Sequence, residues 1–199
     1  LKYGMVYDSN SHTLLAAFRQ LGDFDCTIQQ VHDSAEHLQE VLVKAIDAHD
    51  LVLLTGGVSV GDYDHVVNAA NSAGVRKIFH KVRQKPGKPI FFGMKGTKPV
   101  FGLPGNPASV LTCFYQYVTI ALSRLTEYGY TLPKEYAEMM DDYRKSHGST
   151  HFLKGLYNGT SVFLPEGQES YKLNSFARAN CIVEVPEDRS EVKRGDKVE

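Results

Sequence analysis

Short apolar runs alternate with helical periods over the first 125 residues, and this alternation constrains the fold of the 199-residue chain more than any other feature. Residues 51–54 are continuously apolar, as in a central strand that is covered on both faces. Residues 38–45 repeat apolar side chains at helical spacing, behind Asp33 and Glu36, which have the spacing of a capping box. The pattern predicts an α/β domain of three layers, α/β/α, with helices on both faces of a mostly parallel sheet.

The other elements of this domain follow from the same periodicities. Gly22 and Gly74 stand where helix C-terminal stops are expected, and Pro107 suits the first turn of a long helix. The remaining expected helices cover residues 14–21 and 64–73, and the remaining expected strands cover residues 5–7, 78–82, 90–92 and 100–101.

After Gly129 the sequence changes to short alternating segments that are broken by Gly, Pro and Asn. Such a pattern is typical of a small all-β module. We therefore place a domain boundary near residues 126–131. An α/β domain is expected over residues 1–128, and a small β-barrel-like domain over residues 129–199.

Charge and composition exclude several classes of protein. The formal net charge is −1, with 22 Lys and Arg against 23 Asp and Glu, so no global positive field is available for a nucleic acid partner. No run approaches the roughly 20 apolar residues of a membrane span. The three cysteines, Cys26, Cys113 and Cys181, lie far apart and lack CxxC spacing, which favours reduced thiols in a cytoplasmic protein.

A glycine-rich loop follows the apolar run directly, at residues 55–61. Glycines let backbone N–H groups approach a phosphate, and the dipole of a following helix favours negative charge. That these glycines only turn the chain tightly stays open as an alternative, because neither a dinucleotide fingerprint nor a Walker pattern is present. The glycines of this candidate phosphate site are Gly56, Gly57 and Gly61.

Carboxylates beside this loop indicate a divalent cation. Asp62 and Asp64 come at once after the glycines, and Mg²⁺ prefers oxygen ligands and phosphate partners. Asp64 could equally cap the next helix, and the two roles are compatible. Asp33 is better explained as a helix cap than as a metal ligand, because it belongs to the capping box.

Two further loops could hold an anion. Lys85 and Lys88 flank a Pro-Gly turn whose prolines stiffen it, although paired lysines in a surface turn are usually just solvated. Residues 102–107 form a second strand-to-helix loop, with Ser109 in the first helical turn, and the alternative is a plain proline-fixed turn. The basic, serine-containing run at residues 170–178 could bind an anion or be an exposed loop.

The eight histidines show no HxH or HExxH spacing, so we interpret them as surface or core residues. No cysteine has a nearby His or a second Cys, which argues against a catalytic thiol.

Three motifs, in order, resemble those of the MoeA/gephyrin E-domain family, the molybdopterin molybdenumtransferases. They are TGGVSVGDYD at residues 55–64, KPGKP at residues 85–89 and GLPGNP at residues 102–107. Residues 175–180 and 186–189 are similar to the C-terminal β domain of that family, so the resemblance covers essentially the whole chain. It implies a reaction in which adenylylated molybdopterin and molybdate give molybdenum cofactor and AMP, with Mg²⁺ as the divalent metal.

The resemblance also implies roles for residues. In the glycine-rich loop, Gly56, Gly57, Ser59 and Gly61 would hold the phosphate region. Asp64, with Asp62 and Asp33, would bind or position Mg²⁺. Lys85 and Lys88 would gather the molybdate oxyanion. The residues that would complete the substrate site are Ser9, Asn10, Pro104, Gly105, Asn106, Pro107, Ser109 and Ser170.

Three departures from the family pattern qualify these expectations. The family usually carries two further N-terminal domains and acidic residues that a dimer partner supplies, so we expect this chain to be part of a longer homodimeric protein and inactive alone. The family's Asn-Ser-Asn element begins with Asp8 here. Residues 149–152 read STHF instead of Arg-Pro-Glu-Phe, so the arginine to which the resemblance assigns oxyanion binding is missing here. Lys154 and Arg178 are the candidates to compensate for it.

Two other functions remain open at this point. A molybdopterin adenylyltransferase would also bind the pterin phosphate on the glycine-rich loop, but would make the adenylate and not cleave it. A binding or dimerisation module without catalysis is the second alternative, although no long linker or Pro/Ser-rich tail supports it.

Overall fold

The computed structural model describes residues 7–31, 34–56, 63–146 and 148–199, and residues 63 and 64 only as part of a helix backbone. In the first 126 residues it contains helices α1 (Asn10–Leu21), α2 (Ala35–Ala48), α3 (Tyr63–Ser72), α4 (Pro107–Cys113) and α5 (Thr119–Thr126). The strands there are β1 (Val52–Thr55), β2 (Arg76–His80), β3 (Gln84–Lys85), β4 (Phe91–Lys95) and β5 (Lys98–Leu103).

The remaining elements are mostly short strands. They are β6 (Ala137–Met139), β7 (Tyr143–Arg144), β8 (Thr150–Tyr157), β9 (Ser161–Phe163), α6 (Leu173–Arg178), β10 (Cys181–Val185), β11 (Glu191–Val192) and β12 (Lys197–Val198). The α/β region followed by a small β region is therefore confirmed. The boundary predicted at residues 126–131 falls in the connection between α5 and β6.

The helix ends follow the predicted signals, with one exception. Gly22 caps α1 by donating its N–H to Phe18 O, and Pro107 occupies the first turn of α4. A π-helical turn at Phe114–Val118 joins α4 to α5 into one long helix. The N-cap of α2 is Ser34, whose extended backbone lets its hydroxyl accept a hydrogen bond from His37 N, whereas the predicted cap, Asp33, lies outside the described residues.

The central sheet has the strand order β1-β5-β4-β2 and is mixed over the described strands, where the sequence predicted a mostly parallel sheet. β1 and β5 pair in parallel, but β4 pairs antiparallel with both β5 and β2. The physical reason is the connection, because only Gly96 and Thr97 separate β4 from β5, and a parallel pair needs a crossover of a dozen or more residues. The strand expected at residues 5–7 falls almost entirely outside the described residues.

Alternate residues of this sheet pack against helices on opposite faces. Ile90, Phe101 and Leu103 join α1, α4 and α5 in one core, while Phe91 and Val100 join α2 and α3 in the other. Full burial of such side chains contributes roughly 1.5–3 kcal/mol each. The three-layer arrangement is thereby confirmed, and no described helix has the length and apolar character that crossing a membrane requires.

The β region forms a sheet with the path β10-β8-β9-β6-β12, and β11 pairs separately with β7. The barrel-like closure expected here is not among the described strand pairings, although a backbone bond from Glu184 N to Glu199 O links the two ends of the path. β3, which belongs to the α/β region in sequence, pairs in parallel with β8 and so joins the two regions. This junction positions the candidate site.

Candidate active site

A cleft of about 1040 Å³ lies where the α/β region meets the β region. Three loops form its walls: residues 85–89 after β3, residues 104–106 after β5, and residues 165–170 before α6. The structure thus brings together seven of the predicted site residues, namely Lys85, Lys88, Pro104, Gly105, Asn106, Ser109 and Ser170.

Packing against the long helix holds the backbone of the lysine loop. Gly87 has φ 89°, and a Cβ at this position would lie 2.5 Å from Cys113 Sγ, so only glycine fits. Buried Gln84 donates from Nε2 to Pro86 O at 2.9 Å and accepts a hydrogen bond from Tyr117 OH. The loop's backbone is rigid as a result.

The side chains of Lys85 and Lys88 point away from this packing. Both residues are exposed, and neither ammonium group makes an ion pair or hydrogen bond with any described residue. Their charges are therefore available to a ligand in the cleft.

Several polar groups of the loop after β5 are already hydrogen-bonded to the β region. Ala108 N donates to Ser170 O at 3.0 Å, and Asn106 Nδ2 donates to Ser170 Oγ at 2.9 Å. The carbonyl of Ser170 therefore occupies part of the N-terminus of α4, where the sequence predicted an oxyanion. Pro107 does not line the cleft. Ser109 does line it, is 3% exposed, and its hydroxyl bonds to none of the described residues.

A buried lysine holds the third wall in place. Lys154 on β8 is 5% exposed, and its Nζ donates to Gly167 O at 2.5 Å, to Ser175 Oγ at 2.8 Å and to Glu169 O at 3.2 Å. Burial lowers the pKa of this ammonium group, because the charge has lost its water.

Neither candidate for replacing the family's arginine does so. Lys154 is committed to backbone carbonyls, and Arg178 is an exposed residue at the end of α6. Both are absent from the lining of the cleft.

The glycine-rich loop begins beside the loop that follows β5. β1 and β5 are parallel with Thr55 opposite Leu103, so their carboxyl ends meet at one edge of the sheet, as predicted. Gly56 has φ 76° and open space around its Cβ position, which satisfies the conformational need attributed to it.

Asn10, at the start of α1, reaches the same edge. Its Nδ2 donates to Gly105 O at 2.9 Å, and its buried Oδ1 has no partner among the described residues. Ser9 contributes its carbonyl to Thr13 N, and its hydroxyl bonds to no described residue. Asp8 accepts hydrogen bonds from Ser11 Oγ and Ser11 N, which lower the pKa of its carboxyl, so its side chain is engaged with the first turn of α1.

Part of the predicted site cannot be placed. The residues Asp33, Gly57, Ser59, Gly61 and Asp62, and the side chain of Asp64, lie outside the described part of the chain. Within the described residues no group of three or more acidic, His or Cys side chains is arranged to hold a metal ion.

The sequence analysis missed two residues of the cleft, Tyr143 and His151. His151 is 5% exposed and lines the cleft, and its Nδ1 lies 2.7 Å from Tyr143 OH. Burial, and then the positive charges of Lys145 and Lys85, lower its imidazole pKa. No short spacing in the sequence marks these residues, because β7 and β8 come together only in the folded protein.

Cys26, Cys113 and Cys181 are free thiols. Burial raises the pKa of Cys113, which makes this thiol a poor nucleophile.

Comparison with known families assigns both regions. Residues 1–124 match the family described as a probable molybdopterin binding domain, and residues 136–199 match the MoeA C-terminal region, domain IV. The first match covers more than half of the chain, so the α/β region is a member of the molybdopterin-binding class. The chain as a whole belongs to the MoeA family and corresponds to its C-terminal portion.

Curated relatives carry the name molybdopterin molybdenumtransferase. The protein of that name from Staphylococcus epidermidis is 31% identical over 100% of this chain and 49% of its own length, and the one from a Nostoc species is 32% identical over 100% and 48%. The chain thus spans about half the length of these relatives.

Solved structures agree with this assignment. The molybdopterin biosynthesis MoeA protein of Pyrococcus horikosii matches with a TM-score of 0.82 and 28% identity, over 100% of this chain and 48% of its own. A molybdenum cofactor biosynthesis protein of Pyrococcus furiosus matches with a TM-score of 0.76 and 26% identity, over 96% and 63%.

Proposed function

We propose that this chain supplies the substrate-binding C-terminal portion of a molybdopterin molybdenumtransferase. In the proposed reaction adenylylated molybdopterin and molybdate give molybdenum cofactor and AMP. The observation that carries the proposal is the cleft, in which Lys85 and Lys88 project as unpaired cations from a rigid loop opposite Ser109 and the Ser170 segment.

Two anions have to meet in this reaction, and the site offers separate places for them. The edge of the sheet, with Gly56, Asn10 and Gly105, is the proposed seat of the phosphate region of the adenylylated pterin. The cleft is the proposed seat of molybdate. The two places adjoin at Gly105, which accepts a hydrogen bond from Asn10 and also lines the cleft.

The lysines would lower the repulsion between the two substrates. Two like unit charges a few ångströms apart repel by several kcal/mol at a protein surface, and ammonium groups placed beside them offset this cost. A rigid loop backbone matters because it removes part of the entropy cost of ordering long side chains. The neutral hydroxyl of Ser109 would add a charge-assisted hydrogen bond to an oxyanion oxygen.

Mg²⁺ belongs to the proposal on the sequence pattern alone. Its proposed ligand is Asp64, with Asp62 and Asp33 beside it, and when bound it would neutralise charge at the pyrophosphate bond. The N-terminal domains, a homodimer and a cytoplasmic location are proposed with it. The free thiols support the last of these.

The test is Lys88→Gln in the full-length protein, a substitution that keeps length and polarity but removes the charge. A charged hydrogen bond is worth roughly 1.5–3 kcal/mol, so we expect about a tenfold rise in the molybdate concentration needed for AMP release. The affinity for the nucleotide should stay nearly unchanged. Lys77→Gln, an exposed lysine of β2 outside the cleft, is the matched control.

Two outcomes would contradict the proposal. If Lys88→Gln lowered nucleotide affinity and left the molybdate requirement unchanged, Lys88 would belong to the phosphate site. If the wild-type protein formed the adenylate and released no AMP in response to molybdate, the adenylyltransferase alternative would replace the proposed reaction.

A further inference from the structure

The Tyr143–His151 pair is a polar element of the cleft that none of the roles above uses. His151 is 5% exposed, so its imidazole has lost most of its water, yet it lines the cleft. Its Nδ1 lies 2.7 Å from Tyr143 OH, with the two rings edge to face at a centroid distance of 5.9 Å. The ring is therefore held in one orientation.

The pairing of β3 with β8 brings this histidine next to a lysine of the opposite wall. Lys85 and His151 are register partners in this parallel pair. Residues paired in this way project from the same face of a sheet, so a cation from the α/β region and an imidazole from the β region stand side by side. Both line the cleft.

The remaining ring nitrogen of His151 is available to a ligand. Nε2 bonds to none of the described residues, and it is not among the fully buried polar atoms that lack a partner. A neutral imidazole has one donor and one acceptor nitrogen, and the partner of the first decides the role of the second. If the Tyr143 hydroxyl donates to Nδ1, then Nε2 carries the proton and donates into the cleft.

The charges around the ring favour an anion as the ligand. Burial first, and then the positive charges of Lys145 and Lys85, lower the imidazole pKa, and Lys88 adds a further cation to the cleft. A metal ion would be repelled by the same charges, and the described residues contain no cluster of three or more His, Cys, Asp or Glu side chains that could hold one.

We propose that Tyr143 and His151 form an oxyanion-binding element, in which His151 Nε2–H donates to a tetrahedral oxyanion that Lys85 holds at the same time. Tyr143 is the positioning residue, since it sets the tautomer and orientation of the ring. This inference rests on the proposed function only for the identity of the oxyanion as molybdate. The chemistry itself fits tungstate or sulfate equally well.

The test measures the binding of molybdate alone to the chain by calorimetry, without the pterin. We expect His151→Leu to weaken binding about tenfold, as for a lost hydrogen bond to a charged group. His151→Gln keeps an N–H donor near the position of Nε2 and should recover most of the affinity. Tyr143→Phe should weaken binding by a few-fold, because the tautomer is then free to change.

A spectroscopic measurement separates this role from a structural one. Nitrogen NMR of the imidazole should show the proton on Nε2 in the wild-type chain, and molybdate should shift that resonance. Matched controls are His37→Leu and Tyr136→Phe, which alter exposed residues outside the cleft and should change nothing. Thermal unfolding of each variant shows that it is folded.

Several results would overturn the proposal. Unchanged affinity in a folded His151→Leu variant would do so, as would a proton on Nδ1 in the spectrum, which would make Nε2 an acceptor. If the wild-type chain did not bind molybdate, both this inference and the proposed function would be overturned. Normal molybdate binding with no effect of the His151 variants would overturn the inference alone.

Discussion

Two of the three walls of the cleft, the 85–89 loop and the 165–170 loop, use lysine in opposite ways. On the α/β side, Gln84 and Gly87 pack the loop against the long helix, and the charges of Lys85 and Lys88 remain unpaired. On the β side, Lys154 is buried, and its ammonium group binds the backbone of the 167–172 segment.

The difference shows where each wall obtains its rigidity. Packing that needs no charge leaves the lysines of the first wall to the ligand. In the second wall the ammonium group of Lys154 is buried, and backbone carbonyl dipoles balance its charge. This charge stabilises the fold and is not available to a ligand. A lysine near the site in sequence is therefore not by itself evidence of binding.

The largest expected effect comes from removing the buried charge. Lys154→Met should lower the free energy of unfolding by about 3 kcal/mol, because several buried acceptors lose their donor at once. Lys88→Met removes an exposed charge from the other wall and should change stability by less than about 0.5 kcal/mol. Chemical denaturation measures both.

Equal losses in the two lysine variants would refute the distinction between the walls. A stable Lys154→Met variant with unchanged hydrogen exchange in residues 167–172 would likewise show that the ammonium group does not hold that segment.

The next effect concerns the packed wall. Gly87→Ala should cost about 2 kcal/mol, since φ 89° is strained for alanine and the new Cβ would meet Cys113 Sγ at 2.5 Å and Gln84 Nε2 at 2.7 Å. Gly195→Ala is the control, because its φ of 90° carries the same backbone strain in open space. We expect a smaller loss there, so that thermal denaturation separates crowding from strain.

A smaller effect is expected where the two regions meet. Asn106 Nδ2 donates to Ser170 Oγ at 2.9 Å in an exposed position, so Asn106→Ala and Ser170→Ala should each cost about 1 kcal/mol. A double-mutant cycle should give a coupling energy of about 0.5 kcal/mol or more. Additive losses would mean that this bond does not join the walls.

The smallest expected effect is on the pH dependence of stability. Burial, with Lys145 and Lys85, lowers the pKa of His151 from 6.5 in the folded protein. The unfolded chain therefore binds the proton first as pH falls below 6.5, and stability is lost until the pH has passed through the lower folded value. His151→Gln should remove this component, and unfolding curves at several pH values on either side of 6.5 would show whether it does.

Local patterns were sufficient for most of the fold. Apolar periodicity predicted α1, α2, α3 and the long helix, because the buried face of an amphipathic helix repeats apolar residues within a few turns of sequence. The change of texture after Gly129 predicted the β region. The mixed sheet was not predicted, since the direction of a strand depends on its connection and not on its own residues.

The candidate site, like the fold, was predicted from the sequence only in part. The sequence by itself indicated which loops carry the candidate site, because Gly56, Lys85, Lys88 and Ser109 stand at or beside the ends of predicted strands and helices. It also determined the family, through motifs that keep their order along the chain.

Only the tertiary structure decided what each polar residue does. Lys154 and His151 lie on one strand, three residues apart. Lys154 donates its hydrogen bonds to backbone carbonyls, whereas His151 lines the cleft. The pairing of β3 with β8, across 65 residues of sequence between Lys85 and His151, sets this outcome. A side chain's partners depend on such long-range contacts, and no local pattern in the sequence encodes them.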